Sequence, residues 1–268
     1  MSETQEARET EIGESRYLYC IVNCDAEMSL GEIGIDYAKV HIIPYKDIAA
    51  VVHACSVKPY ETRDHEKAKL WIFTHNYVID KATERFGTVL PFSFDAIIRG
   101  NDDTVKDALS KGYEKLKGEL ERVEGKAEYT VQIFCDPEKL TQEILIEDQE
   151  LKALKEKIEK IPKGATYLLQ RKFELKIKDM ISASIFKLAD EFSSKIRKYV
   201  EEIKAEETSR IPEKYKDKKL IATLTCLVSN EKVEELGKVL EGICNRRGYD
   251  VRFTGPWAPF SFIKLKEI

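Results

Sequence analysis

The chain has 268 residues, a formal net charge of −4 and a charged share of 34%. That length allows two domains, and the weakly acidic balance argues against a general nucleic-acid binder or a binder of anionic membrane surfaces. The surplus of charge in both signs points to long solvated helix faces, and no run approaches the roughly 18 apolar residues of a membrane-spanning helix.

Residues 1–15 read as a disordered acidic tail. Through Arg16 the chain carries five Glu and two Arg but one large apolar residue, Ile12. No basic start followed by an apolar core is present, so the tail is not a secretory signal, and the protein is expected in the cytoplasm.

Residues 17–23 predict a strand, and 40–43 and 48–54 predict two more, rich in Val and Ile. From 63 to 86 the spacing becomes helical, with Ala68, Trp71, Ile72, His75, Ile79, Ala82 and Phe86 on one stripe and Gly87 as its stop. A Pro-Phe-Ser-Phe segment, Pro91 to Phe94, follows, and Ile97-Ile98 closes a short strand. Asn101 or Asp102 can cap the next helix, whose stripe is Val105, Leu109, Tyr113, Leu116, Leu120 and Val123.

Residues 127–135 alternate as a strand. Asp136-Pro137 supplies an N-cap with proline at the first helical position, opening helical sequence to 161 that is interrupted near Glu147-Asp148-Gln149. A long helix is predicted from about 166 to 206, roughly 60 Å at 1.5 Å per residue. Such a helix outreaches a small domain, so part of its stripe must meet a second domain, another copy or a partner. A charged linker at 206–219, a strand at 220–228, a helix at 231–247 and an alternating run from Tyr249 complete the pattern. The fold class expected is α+β, with strands and helices in two related halves, one of them ferredoxin-like. The boundaries are drawn at 16–125 and 126–268.

The most unusual stretch is the last, Thr254-Gly255-Pro256-Trp257-Ala258-Pro259-Phe260-Ser261-Phe262. Two prolines fix φ and remove donors, so it must turn or run as an extended edge. It also echoes residues 87–94, since in both places a Gly and three residues precede Pro-Phe-Ser-Phe.

Chemistry-bearing motifs are scarce. His75 lies on an apolar helical stripe and reads first as a core histidine. His41 and His53 fall in strands, and His65 sits at a helix start. Cys20, Cys55, Cys135 and Cys226 lie in apolar strand-like runs, and Cys20-x-x-x-Cys24 has no neighbouring histidine or thiol pair to complete a metal site. Phosphate-binding glycine loops, zinc-binding histidine pairs and a nucleophile elbow are all absent. No enzyme class, metal or cofactor is indicated.

Four stretches together resemble the gas vesicle protein F/L family. They are Arg16 to Val22; His75 with the segment 86–97; Gly164-Ala165-Thr166-Tyr167-Leu168-Leu169-Gln170-Arg171-Lys172; and Thr254 to Phe262, which is similar to the family's closing Thr-Gly-Pro-Trp-Pro-Pro-Tyr-Ser-Phe. Ser93 and Asp95 depart from an Arg and a Gly of the family's pattern, and Ala258 and Phe260 from a Pro and a Tyr. The resemblance implies an N-terminal ferredoxin-like domain and a C-terminal α+β domain with long helices. It implies a non-enzymatic assembly protein of the gas vesicle or cytoplasm that binds the small hydrophobic shell protein and other accessory proteins. Such a protein would limit shell-protein aggregation during nucleation and could remain as a minor vesicle component. The partner-binding residues expected are Trp257, Pro259, Phe260, Pro91, Phe92 and Tyr167. Against this stand two alternatives: that Trp257, Phe260 and Phe262 only pack an interdomain core, and that His75 serves a ligand-binding or small-molecule enzyme site.

Overall fold

A computed structural model describes residues 15–160, 167–207 and 210–263. The acidic tail falls outside them except at Ser15, which opens a strand. Two compact units emerge, residues 15–128 with 256–263 and residues 129–255. The closing Pro-Phe-Ser-Phe segment therefore belongs with the first unit, although sequence order assigns it to the second half.

The first unit is built on six strands: β1 (Ser15–Asn23), β2 (Met28–Gly31), β3 (Val40–Tyr45), β4 (Ile48–Cys55), β5 (Val89–Pro91) and β6 (Ile97–Arg99). Their order is β2-β3-β4-β1-β5, with β6 also on β1. The pairings of β1 with β4, β5 and β6, and of β3 with β2 and β4, are antiparallel. β1 carries a bulge, where Leu18 faces Val52 but Cys20 already faces Val51. The extra residue, Tyr19, resets the alternation of side chains. Tyr17 before it, Tyr19 itself, and Cys20 and Val22 after it thus join one apolar cluster.

Helix α1 (His65–Phe86) covers that face with Trp71, Val78, Ile79 and Ala82. Helix α2 (Asp102–Val123) covers the other. Its contacts are with alternate strand positions: Arg16 Nε donates to Asp102 at 2.6 Å, and Ser110 Oγ to the Tyr45 hydroxyl at 2.9 Å. One helix on each face, and four strands ahead of the first helix, are not a ferredoxin-like plan, so the expectation of one at the N-terminus is corrected.

That plan appears in the second unit. Its elements run β7 (Lys126–Cys135), α3 (Pro137–Glu147), α4 (Gln149–Lys160), α5 (Tyr167–Ile196), β8 (Glu202–Ala205), β9 (Lys219–Ser229), α6 (Val233–Cys244) and β10 (Tyr249–Trp257). The sheet order β10-β7-β9-β8 places a split β-α-β on each side of the β8–β9 hairpin. The N-terminal placement that the resemblance implies does not hold, because three strands more than a ferredoxin-like plan allows precede α1.

The long helix is also shorter than its spacing predicts. α5 ends at Ile196, about 45 Å from its start, and Ile203 pairs with Cys226 as part of β8. Tyr199 and Ile203 keep helical spacing, but the residues around Ile203 gain a partner strand. Only Phe192 and Ile196 of α5 are fully buried.

Candidate partner-binding face

Helix α1 has two apolar faces. Asp64 caps it by accepting from the amides of Glu66 and Lys67, and Gly87 leaves it at φ +79°, a conformation that suits glycine. Trp71, His75, Val78, Ile79 and Ala82 form the buried stripe. On the opposite side Leu70, Phe73 and Tyr77, at i, i+3 and i+7, are exposed together with neighbouring Ile72, and Phe73 shows 69% of its surface. These side chains leave much of their apolar surface to solvent instead of to the core that the buried stripe builds.

The closing corner stands beside this helix. Trp257 is 51% exposed and Phe260 37%, and they enclose with Asn76, Ile79, Asp80 and Ala258 a depression of about 340 Å³. The corner is fixed by polar contacts underneath. Buried Glu128 accepts from the Ser261 amide at 2.7 Å and its hydroxyl at 2.8 Å, Arg122 donates to the Phe262 carbonyl at 2.8 Å, and the Phe262 amide closes a turn on the Pro259 carbonyl at 3.0 Å.

The earlier Pro-Phe-Ser-Phe segment lies inside the same unit. The Phe92 amide donates to the Tyr19 carbonyl at 2.9 Å, and His75 Nε2–H donates to the Phe92 carbonyl at 3.1 Å. Since that nitrogen carries the proton, His75 Nδ1 accepts from the Tyr17 hydroxyl at 2.9 Å, which in turn accepts from the Asp95 amide at 3.0 Å. The rings of Phe94 and Phe260 lie 5.8 and 6.4 Å from that of His75. The two repeats, far apart in sequence, meet on one imidazole.

A parallel chain runs from Tyr19 through His53 to Tyr60, at 2.8 and 2.9 Å. Burial lowers both His53 and His75 to a pKa of about 4, and it raises the phenols of Tyr17, Tyr19 and Tyr60. These groups are neutral at pH 7, and His75 has both ring nitrogens engaged. Tyr60 borders a shallow depression of about 580 Å³ with Trp71 and Phe94, which His75 does not line. Among the described residues no three His, Cys, Asp or Glu side chains stand together as a metal-binding set.

Of the residues expected from sequence to bind a partner, Trp257 and Phe260 are exposed on this face. Pro259 is buried beneath them, and Pro91 and Phe92 are buried in the core. Tyr167 is exposed at the start of α5, in the other unit. Leu70, Phe73 and Tyr77 escape a sequence reading that keeps only the dominant stripe. Their i, i+3, i+7 spacing is the signal that finds them. Phe262 is buried within the first unit.

Among the described residues no helix is long and apolar enough to cross a membrane. Comparison with known proteins gives a consistent result. Two similar proteins are gas vesicle proteins L1 and L2 of Halobacterium salinarum, 29% and 30% identical over 97% and 98% of this chain and 94% and 96% of their own lengths. Gas vesicle protein L of Haloferax mediterranei is 27% identical over 96% of this chain and 90% of its own. In structure the chain is similar to gas vesicle protein GvpF from Anabaena, with a TM-score of 0.71 at 17% identity, covering 95% of this chain and all of that one. GvpF from Microcystis aeruginosa gives a TM-score of 0.64 at 17% identity, over 94% of this chain and all of that one. The family described as gas vesicle synthesis protein GvpL/GvpF matches residues 15–264, and the chain belongs to that family.

Proposed function

We propose that the exposed face of α1 and the closing corner receives the small hydrophobic shell protein of the gas vesicle, keeps it from aggregating and delivers it to a growing nucleus. The observation that carries this reading is the second apolar stripe of α1, Leu70, Phe73 and Tyr77, on the same helix whose Asn76, Ile79 and Asp80 border the exposed Trp257 and Phe260. An amphipathic partner helix laid along such a stripe buries apolar surface on both sides, and contiguous exposed apolar patches are among the marks of protein contact sites. The corner is pinned from below through Glu128 and Arg122, so Trp257 is presented by a fixed backbone and its ordering adds little to the cost of binding.

In this reading the protein catalyses nothing and works in the cytoplasm and at the gas vesicle, with other accessory proteins as further partners. The closed core around His75 supports an architectural role for that residue, since Tyr17 and Phe92 engage both ring nitrogens. Co-expression with the shell protein tests the function. Wild-type chain is expected to raise the soluble fraction of the shell protein, and an unchanged fraction at equal expression contradicts the proposal.

A further inference from the structure

The depression at the closing corner has a composition that an apolar docking face alone does not require. Its walls are Ile79, Ala258, Trp257 and Phe260, its rim carries Asn76 and the carboxylate of Asp80, and Glu128, whose oxygens accept from Ser261, also lines it. Asp80 makes no ion pair or hydrogen bond among the described residues, while the nearest cation on its helix, Lys81, is held by Glu84 at 2.5 Å. No Lys or Arg is among the described residues that line the depression. Partial burial raises the Asp80 carboxyl above the usual aspartate range, with Glu84 adding to the effect and Lys81 opposing it. An unpaired carboxylate beside aromatic walls is charge-complementary to a cation.

We propose that this depression is a socket for an arginine side chain carried on the apolar surface of the docked shell protein. Arginine suits it better than lysine. Its guanidinium is planar and weakly hydrated, stacks on the faces of Trp257 or Phe260, and presents a fork of N–H donors to Asp80. Its methylene stem covers Ile79 and Ala258. The socket gives the apolar face register, since a stripe of Leu, Phe and Tyr does not by itself fix how far a partner helix slides along it.

The inference rests on the docking reading above but is tested apart from it. The probe is N-acetyl-arginine amide, with N-acetyl-norleucine amide as its uncharged counterpart, titrated into the full chain. The readout is the indole N–H resonance of Trp257, assigned by its loss in Trp257→Phe. The arginine compound is expected to move this resonance saturably and the norleucine compound to leave it unmoved at equal concentration. Asp80→Asn is expected to weaken the effect about tenfold, the loss of one charge-assisted hydrogen bond. Equal responses to the two compounds, or an unchanged response in a folded Asp80→Asn chain, overturn the socket. A chain that binds the arginine probe yet leaves the shell protein insoluble refutes the docking reading and keeps the socket.

Discussion

His75 Nε2 lies 3.1 Å from the carbonyl of Phe92, and the same ring lies 6.4 Å from that of Phe260. One buried imidazole thus touches both copies of the Pro-Phe-Ser-Phe repeat, accepting from Tyr17 on its other nitrogen. Replacing it with leucine leaves the Tyr17 hydroxyl and the Phe92 carbonyl each short of a partner. Each loss costs about 1–3 kcal/mol, so His75→Leu is expected to destabilise the chain by roughly 2–6 kcal/mol in urea unfolding. A change near zero would mean that the imidazole does not tie the repeats together.

The two buried histidines make stability depend on pH. Their folded pKa of about 4 lies below the ordinary 6.5, so between these values the unfolded chain binds more protons than the folded one. Stability is therefore at its full value above pH 6.5, falls as the pH drops through that window, and levels near pH 4 for this contribution. Each histidine accounts for a loss on the order of 3 kcal/mol. Urea midpoints at pH 7 and pH 4.5 check this, and His53→Phe, though less stable at pH 7, is expected to show a shallower pH slope.

Glu128 is a clamp on the closing corner. Glu128→Gln keeps the size and weakens the charge-assisted bonds to the Ser261 amide and hydroxyl. The expected result is amide exchange about tenfold faster across 258–263, corresponding to about 1.5 kcal/mol of local stability, with a smaller shift in the global unfolding midpoint. Exchange as slow as in the wild type would assign the corner's order to packing of Ala258, Pro259 and Phe262 alone.

Along α5, burial separates residues of similar chemistry. Phe192 is fully buried, with the Tyr249 ring 5.7 Å away and the Arg246 guanidinium 5.2 Å from its ring centre, whereas Phe186 is exposed. Phe192→Ala is expected to cost about 3–5 kcal/mol and Phe186→Ala less than about 0.5 kcal/mol in thermal or urea unfolding. Comparable losses at the two sites would contradict the packing described for this helix.

Where a cap or a break is written locally, the ends of elements are legible in the sequence, as they are not at the end of α5. Asp136-Pro137 starts α3, Asn101 caps α2, and the break at Glu147-Asp148-Gln149 is the join between α3 and α4. The topology was harder to read, because which strands pair is settled by contacts far apart in sequence. The bulge at Tyr19 reverses the alternation of β1, and no residue type announces it. The resemblance assigns the ferredoxin-like order to the N-terminal half, whereas the strand order β10-β7-β9-β8 puts it in the second unit. At the site, Trp257 and Phe260 stood out by composition, while Pro91 and Phe92, which share their motif, are buried because β5 lies against β1. The exposed stripe of α1 was hidden by the more regular stripe that builds the core.

The central claim is that the face made by α1 and the closing corner binds the shell protein. Its most direct test is capture of the shell protein by immobilised full-length chain carrying Phe73→Ser and Trp257→Ala together, with folding checked by circular dichroism. Both residues are exposed, so the variant is expected to fold as the wild type does and to retain less than about a tenth of its capture, the effect of losing two aromatic anchors. Wild-type capture by the folded double variant would contradict the account.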